Sequence, residues 1–264
     1  MHSQSYCKFM STKQWAFLQG MNIVVFVVTV AVNGLAGGTT LLNGKTSGEI
    51  SDLYPTLITP AGFTFSIWSL IYTLLLVFVV FQALPRNRDQ AFIRQVSFLF
   101  ILSGVWNVLW LFLWHYELLT FSVVLMFALL ATLIAIYLRL GIGKGDVRLT
   151  EKLCVHVPFS VYLGWITVAS ITNVAAALTA VGWDGGGIEG VTWGILVIAV
   201  ALVITLAVVG TRKDAAYGLV LVWALAGIVA KQIEHPTIVL AAEVSIAIIL
   251  IAIVGMAVFS RLKR

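Results

Sequence analysis

Trp106, Trp110 and Trp114 recur at i, i+4 and i+8 within one apolar segment, and that spacing puts three indoles on one face of a helix. Such a face is a flat, polarizable wall with a few N–H donors. It suits either tight helix packing or a flat apolar ligand. Two other segments carry the same spacing: Thr64, Trp68 and Tyr72 in one, and Trp165, Ala169 and Asn173 in the other, with Tyr162 one turn before. Ser103 and Asn107 share an overlapping face with Trp110. Asn107 and Asn173 are amides within apolar runs. They either bond neighbouring helices or present donors to a ligand's carbonyl or carboxylate. The chemistry open to these residue types is stacking and hydrogen-bonded recognition. The sequence has no nucleotide loop, paired catalytic carboxylates or metal-ligand cluster, so no catalytic residue and no metal ligand is assigned. His156 sits in the first turn of its apolar run, far from the aromatic residues, which argues against axial haem ligation. His2, His115 and His235 read as terminus or loop residues.

The elements that must position these residues are membrane spans. The chain is 61% hydrophobic and 10% charged, with a mean hydropathy of +1.04, whereas a soluble domain is roughly half apolar and a quarter charged. Apolar runs fall at 17–38, 61–84, 95–114, 118–138, 153–180, 191–210, 215–232 and 238–259. Most reach the roughly 20 residues that a spanning helix needs. The fold expected is an all-α integral membrane protein with eight transmembrane helices. With the amino terminus inside, Lys8, Lys13, Arg86, Arg88, Arg94, Arg139, Lys144, Arg148, Lys152, Arg212, Lys213, Arg261, Lys263 and Arg264 all fall on the inner side. Only Lys45 and Lys231 fall outside. That bias sets orientation and places both termini in the cytoplasm, in the cell membrane. It also accounts for the net charge of +5 through contact with lipid headgroups, without nucleic acid. Cys7 and Cys154 make neither a disulfide framework nor a metal site. The first run is longer than the core of a signal peptide and is read as a retained helix.

At 1.5 Å per residue, Trp68 lies about 10 Å below the outer end of its span, Trp110 about 6 Å and Asn173 about 10 Å. These residues share the outer half of the bilayer, beneath a long loop at 39–60. Loops of that length are usually lids or binding elements. Convergence at one depth points to a pocket. Composition shifts near residue 181, from aromatic-rich to Val, Ile, Leu and Ala, which divides the chain into a five-helix unit (1–180) and a three-helix extension (181–264). In the extension, Lys231 and Glu243 either pair across the last two helices or form an ion relay. Ala226 and Ala230 give a small-x-x-x-small packing signal.

The stretch from Pro60 to Tyr72 resembles the second-helix motif of the TspO/MBR family of tryptophan-rich sensory proteins. Asn107-Val108-Leu109-Trp110 is similar to that family's third-helix Asn-x-x-Trp. Tyr162 to Ala169 followed by Asn173 is similar to its fifth-helix pattern. The resemblance covers about residues 17–180. There are departures: Phe63 stands where the family commonly has Trp, Val161 takes a usual proline place with Pro158 earlier, and three helices follow. The resemblance implies a five-helix bundle whose first loop covers a cavity lined by Trp68, Tyr72, Asn107, Trp110, Trp165, Ala169 and Asn173. A porphyrin, haem-like or sterol-like ligand is implied there, with no required cofactor.

The function expected is a membrane binding or sensory protein for a flat hydrophobic ligand. A secondary transporter using Glu243 and a porphyrin-degrading enzyme are the alternatives. The bilayer and the ligand are the expected partners, and the extension would scaffold the bundle or serve a homodimer contact. The charge bias generates a first prediction. In a background lacking Cys7 and Cys154, an impermeant thiol reagent applied to intact cells should label a cysteine at Thr46 and spare one at Asn87; the reverse pattern overturns the orientation.

Overall fold

Helices account for most of the chain in the computed structural model, which describes residues 12–262, and no strand occurs among them. Lys8, Lys263 and Arg264, with His2 and Cys7, lie outside the described residues. The long helices are α1 (Thr12–Gly38), α3 (Ile67–Ala83), α5 (Leu99–His115), α6 (Leu119–Arg139), α8 (Val157–Ala180), α9 (Gly190–Arg212), α10 (Ala215–Lys231) and α11 (Pro236–Leu262). Three short helices intervene: α2 (Ser47–Leu53), α4 (Ala91–Val96) and α7 (Leu149–Glu151). Six helical stretches are long and apolar enough to cross a membrane. The other two apolar helices, α5 and α10, have 17 residues each. The third apolar run is broken at Ser97, whose φ of 48° lies outside the helical region and separates α4 from α5.

Local chemistry explains most of the boundaries. Thr46 and Glu49 form a reciprocal capping box that starts α2, satisfying donors that the first turn leaves free. Asp214 caps α10 by accepting from the Tyr217 N–H, and Pro236 opens α11 at a position where a missing N–H costs nothing. A π-turn at Lys152–His156 leads into α8.

Neighbouring helices close a ring in the order α1, α5, α6, α8, α3 and back to α1. The extension joins this ring through α10, which packs on α8 and on the turn at Gly62–Ser66, while α9 and α11 pack on α10 and on each other. α8 is therefore the axis of the molecule: 61% of its apolar stretch is buried, against 22% in α1, α9 and α11. Lipid supplies no hydrophobic drive between helices, so close approach at small residues must hold them. On α10 such approaches fall at Gly218, against Val209 and Ile253, and at Gly227; Ala226 is half-buried and Ala230 exposed. A Cβ at Gly227 would collide with the methyl of Thr64 and press on Pro60. The contact is locked by two bonds, Ala61 N–H to Gly227 O (3.0 Å) and Trp223 Nε1–H to Thr64 O (3.0 Å). Phe63 completes it, its ring edge-on to Trp223 at 5.5 Å.

The two ends of the bundle differ in character. At one end residues 39–60 form a lid that carries α2, so the long loop has structure of its own. At the other end the connections hold Arg86, Arg88, Arg94, Lys144, Arg148, Lys152, Arg212 and Lys213, the distribution that the charge pattern implies. Lys231 pairs with Asp52 in the lid and not with Glu243, which is exposed on α11. His115 is also corrected: it is fully buried at the end of α5, within 3.4 Å of both Ala36 O and Ser47 Oγ. Asn87 is buried, its amide donating to Phe81 O, so exposed Gln90 in the same connection is the better labelling position.

Gly227→Val should lower stability by roughly 1–3 kcal/mol, the usual cost of overpacking, because Thr64 is fully buried and cannot yield. Thermal unfolding in detergent measures it. A variant that unfolds like the parent would show that α10 does not depend on this contact.

Candidate functional site

Trp68 on α3 is the hub of an aromatic cluster inside the five-helix ring. Its indole stacks on Tyr72 (5.5 Å between centroids) and lies 6.5 Å from Trp110, 6.1 Å from Tyr162 and 6.3 Å from Trp165. Trp110 in turn stacks on Trp114 at 5.9 Å. The spacing along α3, α5 and α8 places these rings at one level, and they fill the space between the helices. Trp106, the first member of the tryptophan stripe, is only partly buried and lies outside this cluster.

Two hydrogen-bonded chains surround the rings. Asn33 Nδ2–H on α1 donates to Asn107 Oδ1 (2.7 Å), and Asn107 Nδ2–H donates to Tyr162 Oη (3.3 Å). Trp110 Nε1–H donates to Asn173 Oδ1 (2.7 Å), and Asn173 Nδ2–H donates to Ser122 Oγ on α6 (2.9 Å). The amides thus do the work of joining helices, as an amide in hydrocarbon must. Among the described residues, two donors beside the Trp68 ring are left over. The Trp165 indole N–H is buried with no acceptor, and the Tyr72 hydroxyl lies near Asn107 and Tyr162 without forming a hydrogen bond. Both flank the Trp68 ring.

Trp68, Tyr72, Asn107, Trp110, Trp165 and Asn173 therefore come together, and Ala169, partly exposed on α8, completes the face between Trp165 and Asn173. Asn33 and Ser122 were not legible as members. Asn33 had one signal, an amide near the end of an apolar run, but nothing in sequence aims it at α5.

The lid closes over this cluster through Asn43 Nδ2–H to His115 O (2.7 Å) and Trp114 Nε1–H to Ser47 O (3.3 Å). Glu117, in the α5–α6 turn with φ of 58°, clamps it. The Tyr54 hydroxyl donates to Oε2 at 2.8 Å, and Lys45 Nζ lies 3.1 Å from Oε1. These two partners, Tyr54 first, hold the Glu117 carboxyl below its ordinary 4.5, while the same bond raises the Tyr54 phenol. The Thr46 N–H and hydroxyl lower Glu49 likewise.

A family model described as TSPO-like protein matches residues 17–255. The match runs through the five-helix ring and nearly to the end of α11, so the chain belongs to the TSPO-like family. No curated protein and no solved structure matches it.

Because the folded-state carboxyl of Glu117 titrates below its free value, the clamp is complete above the ordinary carboxylate range and is lost as pH falls through the lowered value. Amide protection around Tyr54, with the intrinsic pH dependence of exchange divided out, should fall on acidification through that window, and Glu117→Gln should lower it already at neutral pH. Unchanged exchange in the variant would remove Glu117 from the closure of the lid.

Proposed function

Proceeding from that membership, we propose that the chain is a membrane-embedded binding protein, with sensory use, whose five-helix unit takes a flat hydrophobic ligand of tetrapyrrole or sterol-like class. The observation that carries this reading is the pair of unmatched donors, Tyr72 Oη and Trp165 Nε1, on either side of Trp68. A buried donor without an acceptor costs roughly 1–3 kcal/mol, and two such donors adjoin a stacked ring that is only half-buried. A planar ligand with acceptors on its rim supplies what both lack. It takes the place of the Trp68 ring against the wall formed by Trp110 and Trp114, while Asn107 and Asn173 hold α5, α6 and α8 in register around it. The other polar atoms of the site are engaged between helices, which favours binding over turnover.

In this reading all eight apolar helices cross the bilayer. α5 and α10, at about 25 Å, come close to the roughly 30 Å hydrocarbon thickness, and α4 extends the reach of α5 beyond the break at Ser97. The basic end faces the cytoplasm with both termini, and the lid faces outward from the cell membrane. Glu243 gives a transport reading no support, since it is exposed on α11 and forms no ion pair among the described residues.

Tyr72→Phe is the discriminating variant. It should weaken binding of a porphyrin, followed by absorbance and tryptophan quenching, by several-fold. The unfolding temperature should stay nearly constant, because the hydroxyl, though close to Asn107, meets no partner in hydrogen-bond geometry. Trp165→Phe should also weaken binding. Affinity for porphyrins and sterols unaltered in both variants sinks the proposal.

A further inference from the structure

A second compartment lies outside the aromatic site. A cavity of about 1020 Å³ runs between α8 and α9, with Phe127 and Leu130 of α6 along one side. That is at the upper end of the roughly 300–1,000 Å³ of small-molecule pockets. Along α8 it extends from Thr179 to Thr167, about 18 Å, so it is an elongated slot and not a chamber for a disc. Its walls are aliphatic, supplied by Ile171, Val174, Ala175, Val197 and Val200 among others, with none of the stacked indoles of the aromatic site.

Polarity is confined to one end. At the deep end the hydroxyls are already matched: Thr167 donates to Leu163 O (2.9 Å) and accepts from Tyr217 Oη (3.1 Å), and Ser170 donates to Ile166 O (2.7 Å). At the lid end stand Trp183 and Trp193, 5.3 Å apart, the residues favoured at a membrane–water interface. Lys231, His235 and Asp184 line the same mouth. The His235 ring makes no hydrogen bond among the described residues, and Lys231 is already neutralised by Asp52. Phe127, Leu196 and Val200 are exposed beside the slot, so it opens sideways onto the bilayer.

We propose that this slot is a lipid-chain site. It takes one long-chain membrane lipid, the hydrocarbon tail lying along α8 and the polar head at the mouth beside Trp183, Trp193 and His235. An apolar cavity does not hold water, and left empty its lining would forfeit dispersion contacts. A flexible tail from the surrounding leaflet has the length, the single polar end and the lateral route that the slot requires. Lys231 is spent on Asp52, so the mouth holds out no unpaired lysine to an anionic headgroup, and selection falls on the tail. Tail and bilayer are equally apolar, so retention rests on packing fit, and filling the slot abolishes it.

The test reconstitutes the full chain in phosphatidylcholine vesicles that contain a phospholipid with a photoactivatable diazirine at the end of a palmitoyl-length tail. Crosslinks should concentrate near Thr167–Ile171 and on the facing part of α9; a probe with the diazirine beside the headgroup should instead mark Trp183 and Trp193. Val197→Trp and Ala175→Trp, filling the slot from opposite walls, should each reduce tail labelling there several-fold. Val203→Trp, on an exposed part of α9, should not. An anionic headgroup on the same tail should label alike. Labelling at the slot no stronger than on the exposed face of α11, or equal in both filled variants, means an ordinary lipid annulus and overturns the site. The two-probe pattern in the unaltered chain decides the matter even if a tryptophan variant fails to fold. Tyr72→Phe leaves slot labelling intact, so failure here and failure of the porphyrin site are separable.

Discussion

Hydrocarbon offers no hydrogen bonds, so each amide, hydroxyl and indole N–H inside this chain must be matched by another part of the chain. That constraint organises the five-helix ring. Asn33, Asn107 and Tyr162 tie α1 to α5 and α8, and Trp110, Asn173 and Ser122 tie α5 to α8 and α6. Interhelical bonds of this kind average only about 0.6 kcal/mol in a membrane, so their main effect is on register. A helix rotated or shifted by one residue would leave several polar atoms stranded at once. Among the described residues Asn22 Oδ1, Thr29 Oγ1 and His156 Nε2 are also buried without a partner; Tyr72 Oη and Trp165 Nε1 differ from them in that both adjoin one ring, Trp68.

The same constraint explains what was legible in the sequence. Apolar runs and a 3.6-residue period report which face of a helix turns inward, and they suffice to bring Trp68, Tyr72, Asn107, Trp110, Trp165 and Asn173 to one level. They do not report which partner a polar group will choose. Lys231 has Glu243 near it in sequence but reaches Asp52, 179 positions away. His115 looked like a loop residue because it ends an apolar run, yet the lid folds over it. The lid itself was legible as a long loop, and the Thr46–Glu49 pair inside it marks a helix start that a count of apolar residues passes over. The slot along α8 had no signal at all, since it arises from the distance between two helices and not from any spacing within one.

The extension shares its docking surface with the most family-like part of the sequence. Pro60, Ala61, Phe63 and Thr64 sit at the start of the second span, and all four meet α10 through Gly227 or Trp223. Phe63, the departure from the usual tryptophan, has an indole edge supplied instead by Trp223. The composition shift near residue 181 thus marks a change of surroundings, from an interior rich in polar atoms to one built on aliphatic contact and glycine. The family match that continues to residue 255 agrees with an extension packed this closely against the ring.

The lid touches both units. Its beginning is fastened to Trp114, His115 and Glu117, above the aromatic cluster, while Pro55–Ile58 roofs the slot and is held by Gln232 Nε2–H to Thr56 O at 3.0 Å. One strap of chain therefore covers two compartments on opposite sides of α8. A displacement of the strap that favoured an occupant at one of the two proposed sites would alter the affinity of the other, and thermodynamic reciprocity would require the factor to be the same in both directions. If both proposed sites are filled, the composition of the surrounding leaflet would act as an effector of the aromatic site, and a ligand there would act back on which lipid the protein keeps.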